Sequence, residues 1–188
     1  MFAYKYILVA LLLYLFISTA EAAVETLNIS ATIERPTCDL DVAGGSGNVI
    51  DLGDIDITNF ENTQTLANQG RSFSLLLRNC KGAGWENFKP TLIIDGTQEN
   101  ITGNGVFRKS AQSTSQNVGI LLKYGAMDFN QASELTSNPF NWVLSQNSDD
   151  APSDGQYDFW VGLTRVSDYA QVRAGTVSAD IIFLFEWR

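Results

Sequence analysis

The chain has 188 residues and a formal net charge of −9 at pH 7, with 21 acidic residues, 12 basic residues and no histidine. Without histidine, the chain cannot carry a Ser-His-Asp triad, a Cys-His nucleophile or a histidine-containing zinc site. The acidic charge disfavours binding to nucleic acids and to anionic membranes, because both repel a negative surface.

The N-terminus predicts a secretory signal peptide over residues 1–22. Lys5 precedes an apolar run at residues 6–17, and Ala20-Glu21-Ala22 is a cleavage site of the small-x-small type. The alternative is an uncleaved membrane anchor, but a bilayer span needs about 20 apolar residues and this run is shorter. The mature chain would begin near Ala23 in an oxidising compartment and is long enough for one domain with a core of its own.

Apolar and polar residues alternate just after the predicted cleavage site. Every second position from 27 to 33 is apolar, which places these side chains on one face of a β-strand: Leu27, Ile29, Ala31 and Ile33. Two interpretations stay open. The segment is either an edge strand of the chain's own sheet or a strand that the chain adds to a neighbouring subunit.

The remainder of the chain predicts short strands and almost no helix. In all, about eight strands are expected, at residues 27–33, 48–53, 73–80, 91–94, 118–124, 142–144, 157–163 and 175–187. The segments between them are rich in Gly, Asn, Asp and Ser, which is typical of loops, and residues 130–135 could form one helical turn. Many short strands with turn signals and no internal repeat indicate a single all-β sandwich.

The two cysteines, Cys38 and Cys80, are an even number in a chain that is predicted to be exported. This favours a disulfide, and two free buried thiols are the alternative. Closing the loop between positions 38 and 80 would stabilise the fold by about 4 kcal/mol in the chain-entropy model.

Two groups of carboxylates are candidate cation sites. Their spacing fits no EF-hand loop, so solvated acidic loops are the simpler interpretation. The groups are Asp149, Asp150, Asp154 and Asp158, and Asp51, Asp54 and Asp56. A pair of carboxylates could also serve a secreted glycoside hydrolase without histidine, but nothing in the sequence singles out such a pair.

The four tryptophans are candidates for a sugar-binding platform. Aromatic residues of a β-sandwich more often lie in its core, and we expect this for Trp142, Trp160 and Trp187. Trp85 differs because it lies among glycines and is expected in an exposed loop.

The last strand shows the clearest alternation in the chain. After Gly175, every second residue is apolar and shares one strand face: Val177, Ala179, Ile181, Phe183, Phe185 and Trp187. Ile182 and Leu184 make the middle of the opposite face apolar as well. A strand that is apolar on both faces is expected to be buried on both, so either the chain's own sheets or another protein should cover it.

Four of these segments, taken in order, resemble the pilins of chaperone–usher fimbriae such as type 1 and P pili. Phe73-x-Leu75-x-Leu77-x-x-Cys80 resembles the strand that leads into the second cysteine of the family. Residues 49–53 and 117–122 resemble the strand between the cysteines and the central strand. Gly175 is the fourteenth residue from the end and Trp187 is the penultimate one, as in the family's C-terminal signature, although Tyr is usual at that last position. The resemblance covers most of residues 24–188.

The resemblance implies an incomplete immunoglobulin-like β-sandwich that a donor strand from another subunit or a chaperone completes. It implies three segments: a signal peptide (1–22), an N-terminal donor-strand extension (23–36) and a pilin domain (37–188). Leu27, Ile29, Ala31 and Ile33 would insert into a neighbouring subunit. A periplasmic chaperone would first bind the C-terminal strand and hold the terminal carboxylate of Arg188. The residues of this strand that it would contact are Gly175, Val177, Ala179, Ile181, Phe183, Phe185 and Trp187.

The implied function is that of a non-enzymatic structural subunit without cofactor or metal. Its partners would be the chaperone, an outer-membrane usher and neighbouring subunits, and it would be exported through the periplasm to the cell surface to support adhesion. The alternative is a tip adhesin with a lectin-like module. Such adhesins place a lectin domain before the pilin domain, and this chain is too short for both. A secreted carboxylate-type glycoside hydrolase is a remote alternative.

Overall fold

The structure, a computed structural model, describes residues 37–82, 87–99, 101, 103–145, 154–167 and 171–188. The predicted leader (1–22), the predicted donor extension (23–36), Trp85, Asp149 and Asp150 lie outside the described residues. No helix among the described residues is long and apolar enough to cross a membrane.

Nine strands and three 3-10 turns form the regular structure of the described residues. The turns span Ile57–Phe60, Ala67–Gln69 and Ser110–Gln112. The strands are β1 (Thr37–Ala43), β2 (Arg71–Lys81), β3 (Pro90–Gly96), β4 (Val106–Phe107), β5 (Val118–Tyr124), β6 (Ser133–Glu134), β7 (Phe140–Val143), β8 (Gly155–Arg165) and β9 (Ile181–Trp187).

The larger sheet is antiparallel, with the strand order β1-β2-β8-β5-β4, and β6 pairs with β5. Its middle strands are buried on both faces, since Phe159 and Leu122 lie on the inner face and Trp160 and Leu121 on the outer face. Trp160 packs there against Phe129, with ring centroids 4.9 Å apart. This second cluster explains why β5 and β8 are almost continuously apolar.

The smaller sheet contains three antiparallel strands in the order β7-β3-β9. Leu92 of β3 lies opposite Trp142 of β7 and Phe185 of β9, and all three side chains point towards the larger sheet. β3 is therefore the central strand, and β9 pairs with it along its whole length.

The core lies between the two sheets and is rich in aromatic rings. Phe73 stacks on Phe159 with ring centroids 5.1 Å apart, and Phe183 of β9 meets Phe159 edge-on at 5.3 Å. Trp142 packs against Tyr124 at 4.9 Å, as expected for a core tryptophan. The buried members of the core are Phe73, Leu75, Leu92, Ile94, Phe107, Leu122, Leu135, Phe140, Phe159 and Val161.

The predicted strands at residues 73–80, 91–94, 118–124 and 157–163 are confirmed as β2, β3, β5 and β8. The strand predicted at residues 48–53 is wrong. Residues 46–49 form a tight turn in which Ser46 and Val49 exchange backbone hydrogen bonds of 3.0 and 3.3 Å, and Val49 is 63% exposed. The helical turn suggested at residues 130–135 lies earlier in the chain, because the N–H groups of Gln131 and Ala132 donate to the Asp128 carbonyl at 3.2 and 2.8 Å and Ser133 and Glu134 form the short strand β6.

Candidate functional site

An apolar groove lies between β1 and β9. Among the described residues, β1 pairs only with β2 and β9 pairs only with β3, so each strand has one edge without a ladder partner. Side chains from both strands line the same groove, which has a volume of about 330 Å³. The groove therefore lies between one edge of the larger sheet and one edge of the smaller sheet.

Of the described residues that line the groove, only Asn48 is polar. Its floor is formed by the core residues Phe73, Leu75, Leu122 and Val161, which are at most 6% exposed. The half-buried rims are Leu40 and Val42 on β1 and Ile181 and Phe183 on β9, and one end is formed by Ile50, Leu52, Ile120 and Ala179. The groove is therefore an apolar cleft over the core that the edges of β1 and β9 border.

The β1 rim was not among the predicted strands. Its sequence alternates, since Cys38, Leu40 and Val42 point inward and Asp39 and Asp41 point to solvent. The two aspartates are poor strand formers, but on this exposed face their carboxylates stay hydrated. The alternation itself is the signal that could have identified the strand.

The predicted disulfide is confirmed. Cys38 of β1 and Cys80 of β2 are bonded, with their Cα atoms 4.2 Å apart. The bond connects neighbouring strands at the start of β1 and so ties one rim of the groove to the floor of the larger sheet.

The C-terminal strand is shorter than predicted and less covered. It begins at Ile181, not at residue 175. Ile181, Phe183, Phe185 and Trp187 share its inner face and are half-buried. The expectation that both faces are buried is wrong for the chain alone, because Ile182 is 62% and Leu184 is 50% exposed. Their side of the three-stranded sheet has no covering layer among the described residues.

Residues 175–180 lead into β9 as an extended segment that is bonded to residues 109–115. The Ser115 N–H donates to the Thr176 carbonyl at 3.0 Å, and the Lys109 N–H donates to the Ser178 carbonyl at 2.8 Å. Gly175 allows this close approach: its φ is +151°, and a Cβ atom there would lie 2.5 Å from the Ser115 nitrogen. The partners of this segment belong to a loop and not to a strand, which is why β9 starts later than the apolar alternation.

Val177, Trp187 and Arg188 complete the predicted C-terminal set. Val177 packs on a different apolar cluster, which contains Phe60 and Leu163. The Trp187 indole N–H is buried and meets no acceptor among the described residues. Arg188 continues the pairing with β3, since its N–H donates to the Lys89 carbonyl at 3.0 Å, and its side chain forms an ion pair with Glu186 at 2.8 Å.

The described carboxylates of the two candidate cation sites mostly bond to neighbouring protein groups. Asp51 accepts from the Gly53 N–H at 2.9 Å, and Asp158 accepts from the Ser74 hydroxyl at 2.8 Å. Asp56 accepts from the N–H and hydroxyl of Thr58, and these bonds lower the pKa of Asp56. Within the described ranges, no group of three or more potential ligands could hold a metal ion.

Comparison with known proteins gives structural matches only. No family model and no curated protein sequence matches the chain. The P pilus rod subunit PapA matches with a TM-score of 0.51 and 13% identity, over 87% of this chain and 100% of that one. The chain has a pilin fold.

Two further pilus proteins match less closely. The P pilus adaptor subunit PapF has a TM-score of 0.45 and 16% identity over 81% of this chain and 97% of that chain. The CupB6 tip adhesin from Pseudomonas aeruginosa has a TM-score of 0.47 and 14% identity over 82% of this chain and 46% of that chain. The likeness to the rod subunit confirms the predicted immunoglobulin-like sandwich of the pilin class. Completion of this sandwich by a strand from another chain stays a prediction.

Proposed function

We propose that this protein is a structural subunit of a chaperone–usher fimbria that polymerises by donor-strand exchange and supports cell adhesion. The observation that carries the proposal is the apolar groove between the edges of β1 and β9 that have no partner strand among the described residues. A groove of this kind selects an extended segment, because main-chain hydrogen bonds provide affinity and alternate side chains fill the apolar surface.

The occupant in the fibre would be the donor extension of a neighbouring subunit. This chain would supply its own residues 23–36 to another groove, with Leu27, Ile29, Ala31 and Ile33 facing the core of the recipient. Burial of four apolar side chains at roughly 1.5–3 kcal/mol each gives about 6–12 kcal/mol before ordering costs. Each ladder hydrogen bond adds about 1 kcal/mol. A complex with a binding free energy of this size would dissociate very slowly, although no covalent bond links the two subunits.

A periplasmic chaperone would occupy the groove before the neighbouring subunit does. The chaperone's strand would lie along β9 and the residues that precede it and would end at Arg188. The residues in contact would be Gly175, Val177, Ala179, Ile181, Phe183, Phe185 and Trp187. At the outer-membrane usher, a neighbouring subunit's extension would replace it. Export by the predicted leader (1–22) would bring the protein to these partners and then to the cell surface.

The donor role is tested by deleting residues 23–34. The truncated chain should still be captured by the chaperone, because the groove belongs to residues 37–188, but fibre growth should stop at this subunit. Fibres are counted by electron microscopy, and chaperone capture is measured by co-purification from the periplasm. Normal fibres from the truncated chain would refute the donor role.

A matched pair of point variants makes the same test without a deletion. Ile29→Asp places a charge on the predicted inward face of the donor strand, and Ser30→Asp places the same charge on its opposite face. Ile29→Asp should block assembly because the carboxylate would enter an apolar groove, whereas Ser30→Asp should assemble. Equal assembly by the two variants would contradict the proposed strand register.

A further inference from the structure

Arg108 is a buried cation whose side chain, within the described part of the chain, donates its hydrogen bonds to neutral oxygens. The residue is 7% exposed and follows β4 directly. One terminal nitrogen donates to the Val118 carbonyl at 2.9 Å and to the Ser115 hydroxyl at 3.2 Å. The other donates to the carbonyls of Ser113 and Ser115. The guanidinium thus gathers residues 113–118 around itself, because a charge out of water needs all of these acceptors.

The loop that Arg108 holds is the same loop that holds residues 175–178. The Thr176 N–H donates to the Thr114 hydroxyl at 2.9 Å, and the Ser178 N–H donates to the Ser113 hydroxyl at 3.0 Å. Together with the hydrogen bond from the Ser115 N–H to the Thr176 carbonyl, these bonds connect residues 113–115 with residues 176–178. Their geometry depends on where residues 113–115 lie, and the Arg108 side chain bonds to Ser113 and Ser115 in that loop.

Residues 175–178, which these bonds hold, continue directly into the part of the groove lining that Ala179 and Ile181 form (the wall). Ala179 and Ile181 line the groove, and Asp180 between them forms an ion pair with Lys109, the residue after Arg108. The Arg108 backbone is itself anchored, because its N–H donates to the Thr97 carbonyl at 2.8 Å. A connected path of bonds therefore leads from the buried guanidinium to one wall of the groove.

We infer that Arg108 is a positioning residue for the groove. Through residues 113–115 it holds residues 175–180 in place and so sets the position of the wall that Ala179 and Ile181 form. The occupant of the groove is the donor strand of the proposed function, and this inference rests on that function only for the occupant. The position of the wall is a property of the chain itself and can be measured without a partner.

The first experiment measures amide hydrogen exchange on the purified, exported full chain. Arg108→Lys keeps the charge but cannot reach four acceptors with one ammonium group. The amides of Ser115, Thr176 and Ser178 should exchange about tenfold faster or more, whereas amides of β8 should not change, because opening of the segment is local. Arg78→Lys is the control, since the Arg78 side chain is 58% exposed on the outer face of β2.

Uniformly faster exchange throughout the chain would show a general stabilising role and would overturn the inference, as would unchanged exchange at residues 115, 176 and 178. If Arg108→Lys does not fold, Ser113→Ala removes one contact of the same path and leaves the guanidinium in place. It should speed exchange at Ser178 alone, and unchanged exchange there would equally overturn the inference.

The second experiment measures binding of a synthetic peptide of residues 24–35 by fluorescence anisotropy. Arg108→Lys should change the association or dissociation rate by about threefold or more, while Arg78→Lys should match the parent chain. Faster exchange in residues 175–178 without any change in peptide rates would overturn the link to the groove. If the parent chain binds no peptide, the proposed function fails, and the exchange result still decides whether Arg108 positions the wall.

Discussion

Two neighbouring isoleucines of β9 allow a direct test of the groove as a strand-binding site. Ile181 lines the groove, whereas Ile182 points to the opposite side and is 62% exposed. Ile181→Asp and Ile182→Asp introduce the same charge one position apart on the same strand. Only the first carboxylate would be trapped when a donor strand enters, because successive strand residues face opposite sides of a sheet.

The size of the effect follows from the surroundings of Ile181. The side chain is half-buried in the chain alone, so a carboxylate at this position can still reach water before the groove is filled. Full burial of an isoleucine provides roughly 2 kcal/mol, so the half-buried Ile181 would gain about 1 kcal/mol when a strand fills the groove. The aspartate variant loses this gain. Desolvation of the carboxylate adds roughly 3 kcal/mol. A total of about 4 kcal/mol weakens binding of the donor peptide by about a thousandfold.

The assay is equilibrium binding of the peptide of residues 24–35 to each variant, measured by fluorescence anisotropy at neutral pH and again at low pH. Ile182→Asp should bind within about twofold of the parent, since its carboxylate stays in water. The Ile181→Asp defect should shrink as pH falls, because a protonated carboxyl loses the charge penalty. Equal affinities for the two variants, or a larger defect in Ile182→Asp, would refute a donor strand in this groove.

Three further predictions concern Gly175, Trp187 and Tyr157. Gly175→Ala should lower the free energy of unfolding by about 2 kcal/mol and Tm by roughly 5 °C, because a Cβ atom would meet the Ser115 nitrogen. Gly47→Ala is the control, since its φ is also positive but nothing lies within 4 Å of the added Cβ atom. An equal loss of stability in Gly47→Ala would argue against the close contact. Trp187→Ala should weaken chaperone capture and lower the periplasmic yield measured by immunoblot, and an unchanged yield would count against the role of β9. Burial raises the pKa of Tyr157 above its ordinary value of 10.0, so the phenol binds its proton more tightly in the folded chain than in the unfolded chain. Stability should therefore fall as pH rises beyond 10, and Tyr157→Phe should reduce this fall in alkaline urea titrations relative to the parent.

The strands with buried inner faces were predictable because their alternation is local information. β2, β8 and β9 each place apolar side chains at every second position, and β5 is apolar almost throughout, as expected for a central strand with clusters on both faces. The pairing of Cys38 with Cys80 was also predictable, since the chain has no other cysteine. These features need no knowledge of which strand lies beside which.

The errors arose where strand structure depends on a neighbour. Ile50 and Leu52 contact the core as a strand would, but after the turn at Ser46 and Val49 their segment pairs with none of the described strands. Residues 175–180 are extended and alternate, yet their backbone partners lie in a loop. Both segments have the local pattern of a strand and lack the partner strand that makes one, and a partner distant in sequence cannot be identified from the segment itself.

The length of the groove edges argues for one donor strand and not for a broader docking surface. β1 and β9 contain 7 residues each, or about 23 Å at roughly 3.3 Å per residue, and the predicted donor strand at residues 27–33 has the same length. One inserted strand could cover the floor between the two edges. Pairing with both edges at once would need them about 10 Å apart, so they would move apart where Cα atoms of β1 and β9 now lie within 8 Å of each other. It would also cover two strand edges that otherwise favour aggregation, so the purified chain should aggregate as its concentration rises and should stay monomeric at the same concentration with a peptide of residues 24–35. A stable, monomeric chain that excludes this peptide would mean that its own residues already fill the groove.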